Sequence, residues 1–165
     1  MGVGKSTIGK KLAAALHLPF IDLDAQIETQ AGMKISEIFS QKGEAHFREM
    51  ESRLLAQHAD SEHEMVLSSG GGTPCHGKNI DLMLRSGVVV WLQLSPKIIA
   101  ARLGQGQQLR PLLSHLSGEE LPTYIEIHLK SREPFYAKAH LSADTHNLNS
   151  EKFAGLIEEI RAYSR

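Results

Sequence analysis

Residues 1–7 read MGVGKST, and G-V-G-K-S-T within them matches the second half of a phosphate-binding loop. In the full pattern, G-x-x-x-x-G-K-[ST], backbone N–H groups curl around phosphates while the Lys and the hydroxyl reach the outer phosphates and a magnesium ion. Gly4, Lys5 and Ser6 occupy the last three positions of that pattern. The alternative is a Gly-Lys turn that opens an ordinary amphipathic helix, with an apolar stripe beginning at Ile8.

The composition predicts one globular domain that binds anions only locally. The chain has 165 residues, a formal net charge of −1 and a single cysteine, Cys75. That length suits one domain, and the balanced charge lacks the basic footprint of a nucleic-acid binder. One cysteine excludes an internal disulfide framework, and the apolar run at 88–94 is far shorter than the ~20 residues of a membrane helix. We therefore expect a cytoplasmic protein, neither secreted nor membrane-spanning, with no nucleic-acid partner.

Short apolar runs alternate with helical stretches, which is the rhythm of βαβ units. Because the runs are apolar on both faces, they predict a parallel sheet covered by helices. Helical patterns at 34–60, with a break at Gly43, and at 150–163 complete the domain. The predicted strands lie within LPFIDLD (18–24), EMVLSS (64–69), GVVVWLQL (87–94) and HLSADTHNL (140–148).

Candidate chemistry follows two of these strands, where ligands gather in such sheets. Asp22 and Asp24 lie two residues apart, so in extended chain both carboxylates project to one face. One would hold Mg²⁺ directly or through water, while the other would accept a proton or a hydroxyl hydrogen bond. Alternatively, Asp24 caps a helix that starts at Ala25. Three glycines, 70–72, follow the next strand; they indicate a sharp turn or a close approach to a ligand, or else a flexible turn.

Arginines supply the matching positive charge in two later segments. Arg102 and Arg110 flank a stretch rich in Gly and Gln. A mobile lid over a transferring phosphate would need glycine hinges of this kind next to an arginine. Arg132 precedes a Glu-Pro pair. The alternative for each arginine, taken alone, is a solvated surface charge.

Six segments, taken together and in this order, resemble the shikimate kinases, which are small P-loop kinases. The segments are GVGKST, IDLDAQIE, GEAHFREMES, GGGTP, LRPLL and REPFY. The resemblance implies an α/β, three-layer P-loop kinase fold with a parallel sheet in the order 2-3-1-4-5. It also implies one domain over 1–165, with a helical substrate-binding segment at about 25–60 and a lid at about 104–122.

The resemblance further implies ATP-dependent phosphorylation of the 3-hydroxyl of shikimate, on the route to chorismate and aromatic amino acids. Lys5, Asp24 and Arg110 take the catalytic roles, and Mg²⁺ accompanies ATP at Ser6 and Asp22. Glu51 holds Arg48 in place. ATP is bound by Gly2, Val3, Gly4, Lys5, Ser6, Thr7, Arg102 and Arg110, with Arg102 near the adenine. Shikimate is bound by Asp24, Gly70, Gly71, Gly72 and a carboxylate clamp of Arg48 and Arg132. We expect a monomer whose ligands are shikimate and ATP.

The sequence departs from the family at its start, where the strand before the loop and the loop's first Gly are absent. In the family order that strand is central, so a gap is expected between the strand before GGG and the VVVWLQL strand, with unpaired backbone groups on both sides. We expect the natural protein to start about ten residues earlier, allowing for a strand of ~5–6 residues. The alternative is a real truncation with a damaged fold.

Two other functions are compatible with parts of the pattern. A related small-molecule kinase, such as a gluconate kinase, would keep the loop and the lid arginine but would not need the carboxylate clamp together with GGG. An inactive nucleotide-binding module is the second alternative, and it rests on the absent strand.

Overall fold

The computed structural model describes residues 2–105 and 120–163. Those residues form helices and strands in the alternating order that the sequence predicts. No helix among them is long and apolar enough to cross a membrane. In chain order the elements are α1 (Lys5–Leu16), β1 (Phe20–Asp22), α2 (Leu23–Ala31), α3 (Ile35–Ala59), β2 (Val66–Ser68), a 3-10 turn (Thr73–Cys75), α4 (Asn79–Ser86), β3 (Val90–Gln93), α5 (Pro96–Gln105), α6 (Glu120–Tyr136), β4 (Leu141–Asp144) and α7 (Ser150–Tyr163).

The four strands form two parallel pairs, β1 with β2 and β3 with β4. The pairs correspond to positions 2-3 and 4-5 of the predicted sheet order, so the predicted neighbours are confirmed. Among residues 2–105 and 120–163, no strand lies between β2 and β3. A cavity of about 1130 Å³ occupies this position and is lined by residues of both strands, including Leu67 and Leu92.

Helices cover both faces of the strands, as a three-layer fold requires. Side chains alternate between the faces of a strand, and β2 divides its residues accordingly. Val66 packs with α1 and α7 in a cluster that also contains Leu156, whereas Leu67 packs with α3 and α4. On β3, Trp91 contacts Tyr136 of α6 at 5.8 Å between ring centroids.

The helical segment after β1 contains the largest buried cluster. Leu23 and Ile27 of α2 pack against Ile38 and Phe47 of α3. The predicted break in α3 is confirmed at Gly43, where φ is 79° and ψ is 169°. That positive φ is readily adopted only by glycine, so the residue type determines where the helix bends.

Two isoleucines of α6 test the packing of this helix against α5. Ile125 is 1% exposed and packs in a cluster with Ile99, whereas Ile127 is 64% exposed. We expect Ile125→Ala to lower the free energy of unfolding by about 2–5 kcal/mol, because the substitution leaves a cavity. The matched control Ile127→Ala changes it by less than about 0.5 kcal/mol. Urea unfolding measures both, and equal effects would contradict the described packing.

Candidate functional site

The phosphate-loop motif forms a tight turn that leads directly into α1. Gly2 and Gly4 have φ values of 66° and 88°, which side chains other than glycine rarely adopt. The carbonyl of Gly4 accepts the first helical hydrogen bond, from the N–H of Ile8 at 2.9 Å. The loop therefore lies at a helix N-terminus, where backbone N–H groups and the helix dipole favour anions.

Helix α5 holds the loop in position from one side. Val3 packs against the cluster that contains Ile99. The guanidinium Nη1 of Arg102 donates to the carbonyl of Gly2 at 3.1 Å. Arg102, predicted to lie near adenine, thus contacts the phosphate loop itself.

Two oxygen-bearing side chains meet beside the loop. The hydroxyl of Ser6 donates to Asp22 Oδ2 at 2.7 Å, and Asp22 Oδ1 accepts from the backbone N–H of Ala25. Carboxylate and hydroxyl oxygens fit Mg²⁺, which usually takes one or two protein ligands and completes its shell with water and phosphate. Among the described residues no cluster of three His, Cys, Asp or Glu side chains could hold a metal. The pair offers two protein oxygens on one side of the phosphate loop.

The predicted geometry of the Asp-x-Asp segment is wrong. Strand β1 ends at Asp22 and α2 begins at Leu23, so Asp24 lies in the first turn of a helix rather than in extended chain. The side chain of Asp22, not that of Asp24, caps the helix. The carboxylates face different neighbours: Asp22 contacts Ser6, while Asp24 Oδ1 would lie 3.2 Å from a Cβ placed on Gly70.

A buried carboxylate, Glu51, joins α3 to the glycine-rich loop. Its side chain is 0% exposed. Glu51 Oε2 accepts from Arg48 Nη1 at 2.7 Å, and Oε1 accepts from the Thr73 hydroxyl at 2.5 Å. Asn79 holds the same turn by donating to the carbonyl of Thr73 at 2.9 Å. Each oxygen of the buried Glu51 carboxylate thus accepts a hydrogen bond.

Arg48 keeps its charge beside Glu51. Burial lowers the pKa of its guanidinium, but the hydrogen bond and charge of Glu51, helped by Glu44, outweigh burial and raise that pKa above its usual value. The side chain of Glu44 is 66% exposed, whereas that of Glu51 is fully buried. The buried partner therefore contributes most to fixing Arg48.

The glycines of GGG are required by close approach rather than by a positive φ. A Cβ on Gly70 would lie 2.8 Å from Glu51 Oε1, and one on Gly72 would lie 2.5 Å from Arg48 Nη2. Neither residue is among the described glycines with positive φ. The predicted sharp turn is present, since the N–H of Thr73 donates to the carbonyl of Gly70 at 3.1 Å. The close approach is to protein side chains, whereas the sequence predicted an approach to a ligand.

The predicted clamp arginines line the same pocket. This cavity of about 310 Å³ lies where α3, the glycine loop and α6 meet. Its lining consists of Glu44, Arg48, Gly72, Cys75, His76, His128, Ser131 and Arg132. Two guanidinium groups on one small cavity favour a planar anion, since the guanidinium fork matches a carboxylate.

Two neutral groups share the lining with these arginines. Burial raises the pKa of the Cys75 thiol against the opposing charges of Arg132 and Arg48. Burial, followed by the charge of Arg132, lowers the pKa of the His128 imidazole. At neutral pH neither the Cys75 thiol nor the His128 imidazole therefore adds to the charge of the two arginines.

Comparisons with known proteins identify the family of this chain. The family model described as Shikimate kinase matches residues 1–161. This chain belongs to the shikimate kinase family. The shikimate kinase of Bacteroides fragilis is 44% identical over 140 residues, covering 85% of this chain and 78% of that protein. The shikimate kinase of Chlorobaculum parvum is 43% identical, covering 96% of this chain and 85% of that protein.

Solved shikimate kinases have the same fold. The crystal structure of the enzyme from Bacteroides thetaiotaomicron superimposes with a TM-score of 0.86 at 36% identity, covering 98% of this chain and 92% of that one. The shikimate kinase from Acinetobacter baumannii, solved in complex with shikimate, gives a TM-score of 0.79 at 31% identity. It covers 98% of this chain and 86% of that one.

Sequence reasoning assigned no role to two residues that contact Glu51 and the glycine loop, Thr73 and Tyr136. Thr73 and Tyr136 belong to the quoted motifs GGGTP and REPFY, yet sequence alone suggested no role for either. The Tyr136 hydroxyl donates to the carbonyl of Gly71 at 2.5 Å. Arg110 and most of the predicted lid lie outside the described residues.

The two acidic partners of Arg48 allow a matched test of the buried pair. We expect Glu51→Gln to lower the free energy of unfolding by about 3–5 kcal/mol, because it leaves a largely buried cation without its main counter-charge. The control Glu44→Gln removes the exposed partner and costs less than about 1 kcal/mol. Denaturant unfolding measures both variants, and similar losses would show that Glu51 is not the dominant partner.

Proposed function

We propose that this protein transfers the γ-phosphoryl group of ATP to the 3-hydroxyl of shikimate, a step on the route to chorismate. The observation that carries the proposal is the meeting of Arg48 and Arg132 with Gly72 on one cavity of about 310 Å³. Shikimate is a small ring with one carboxylate and several hydroxyls. A pocket with two guanidinium groups at one side and a glycine loop at another suits those groups.

Arg48 and Arg132 bind the carboxylate of shikimate in this proposal. They come from different helices, α3 and α6, so the anion bridges two elements. Glu51 fixes the Arg48 guanidinium by a 2.7 Å hydrogen bond from Nη1. The other two nitrogens, Nε and Nη2, contact the exposed Glu44 at 3.2 Å, and in this proposal the substrate carboxylate takes the place of that carboxylate. Charge-assisted contacts of this kind are the stronger class of hydrogen bond, and their geometry selects a planar carboxylate.

Asp24 and the glycine loop bind the hydroxyl side of the ring. Asp24 Oδ1 lies close to Gly70, which is two residues from the pocket-lining Gly72. In the reaction the oxygen of the shikimate 3-hydroxyl attacks the γ-phosphorus of ATP, and Asp24 accepts the proton of that hydroxyl. The bond between the γ-phosphorus and the β,γ-bridging oxygen breaks, and ADP leaves. Positioned carboxylates serve as general bases when they lie within hydrogen-bond reach of the proton.

The phosphate loop binds ATP in the same proposal. The amides of Gly2 to Thr7 surround the β- and γ-phosphates, and Lys5 adds a positive charge. Ser6 and Asp22 hold Mg²⁺ directly or through water, and the ion neutralises phosphate charge when bound. Arg110 acts from the lid on charge that develops at the transferred group. The protein works as a monomer in the cytoplasm, where ATP is available.

The direct test is turnover of defined substrates by the purified protein with ATP and Mg²⁺. ADP release is measured with shikimate and, separately, with gluconate, and the product is identified by mass spectrometry. Phosphorylated shikimate is the expected product. Turnover of gluconate alone would favour a different small-molecule kinase, and ATP binding without turnover of either would favour an inactive nucleotide-binding module.

The clamp predicts a selective effect on shikimate. Arg132→Ala removes one charge-assisted contact, which is worth about 1.5–3 kcal/mol. The KM for shikimate should therefore rise roughly 10- to 100-fold, while the KM for ATP changes little. Arg85→Ala, at an exposed arginine of α4, is the matched control and leaves both constants unchanged. An unaltered KM for shikimate in Arg132→Ala would exclude the clamp.

A further inference from the structure

Tyr136, the last residue of α6, connects three parts of the site. Its hydroxyl donates to the carbonyl of Gly71 at 2.5 Å. Its ring packs against Trp91 of β3 at 5.8 Å between centroids. Arg132 lies one helical turn earlier on the same helix, so both side chains project from one face. The half-buried phenol therefore joins the glycine loop to the helix that carries a clamp arginine.

The hydrogen bond matters because the loop has little stiffness of its own. Glycines restrict φ and ψ less than other residues, so the orientation of each peptide unit in GGG depends on its partners. The carbonyl of Gly70 accepts from the N–H of Thr73 at 3.1 Å, and the carbonyl of Gly72 accepts from the N–H of Cys75 at 3.0 Å. These are bonds within the turn. The carbonyl of Gly71 accepts a weak, long contact from the Cys75 thiol at 3.9 Å, and its short hydrogen bond, at 2.5 Å, comes from the Tyr136 side chain on α6.

The bond to Gly71 also fixes the direction of a donor. The carbonyl of Gly71 and the N–H of Gly72 belong to one planar trans peptide unit and point in opposite directions. Because the carbonyl is turned toward Tyr136, the N–H of Gly72 is turned away from it. Gly72 lines the cavity that also contains Arg48 and Arg132.

We propose that Tyr136 is a positioning residue for shikimate, which it does not touch, and that it orients the Gly71–Gly72 peptide relative to Arg132. The inference rests on the proposed function. Without the hydroxyl, the peptide can rotate and water can replace the lost donor, so the loop no longer presents a fixed surface to the substrate. The nucleotide side is unaffected, because the described contacts of the phosphate loop, to Arg102 and to the cluster that contains Ile99, do not include Tyr136.

The electrostatics of the phenol suit this role at neutral pH. Burial raises the pKa of Tyr136, against the lowering effect of the nearby Arg132 charge. The hydroxyl therefore stays protonated at neutral pH and remains a donor to the Gly71 carbonyl.

Tyr136→Phe removes only the hydroxyl and keeps the ring against Trp91. We expect the KM for shikimate to rise roughly tenfold, as for the loss of one hydrogen bond that orients the binding surface. The kcat and the KM for ATP should stay within about twofold, since the lost interaction acts equally on ground and transition states. Tyr163→Phe, at a tyrosine that is 56% exposed, is the matched control and changes none of the three constants.

The outcomes separate this inference from the function on which it rests. If the unaltered protein does not phosphorylate shikimate, the proposed function fails and the inference fails with it. If the unaltered protein phosphorylates shikimate and Tyr136→Phe leaves its KM unchanged, the inference alone is overturned. A parallel rise in the KM values for shikimate and ATP, with a lower melting temperature, would assign Tyr136 a general structural role and would also overturn it.

Discussion

The buried negative charge of Glu51 constrains the pocket that Arg48 and Arg132 line. A carboxylate that is 0% exposed is costly unless charge and hydrogen bonds compensate it. Here Arg48 and Thr73 both bind it. Because these groups approach so closely, a side chain at Gly70 or Gly72 would displace the carboxylate of Glu51 or the guanidinium of Arg48. The F-R-x-x-E and GGGT segments are therefore two halves of one packing arrangement, although they lie far apart in the sequence.

The pairing of β1 with β2 places the Glu51 network and the glycine loop near the phosphate loop. Strands β1 and β2 are parallel, and Asp22 is paired in register with Ser68. The segments that follow them, Asp24 on α2 and the glycine loop, therefore emerge at one edge. The contact of Asp22 with Ser6 brings the phosphate loop to the same edge. A phosphoryl donor and a hydroxyl acceptor bound at these loops would meet beside Asp24.

Sequence patterns predicted the elements better than they predicted the contacts between them. The strands, the break at Gly43 and α7 followed from local periodicity and from the conformational freedom of glycine. The Asp-x-Asp geometry was wrong because β1 has only three residues, and periodicity cannot locate the point at which so short a strand gives way to a helix. The family resemblance, rather than spacing, paired Arg48 with Arg132. The contact between Tyr136 and Gly71 joins residues 65 positions apart, and no local pattern encodes it.

The central claim is that the buried Glu51 network preorganises the shikimate site, and Thr73→Val tests it most directly. This substitution removes the hydroxyl that binds Glu51 but keeps the size of the side chain, and Thr73 does not line the pocket. Calorimetric titration should give a dissociation constant for shikimate raised roughly tenfold in a protein that remains folded. The control Thr145→Val removes a hydroxyl that donates to the backbone carbonyl of Gln93. It should leave the dissociation constant for shikimate unchanged. Wild-type affinity in folded Thr73→Val would contradict the account.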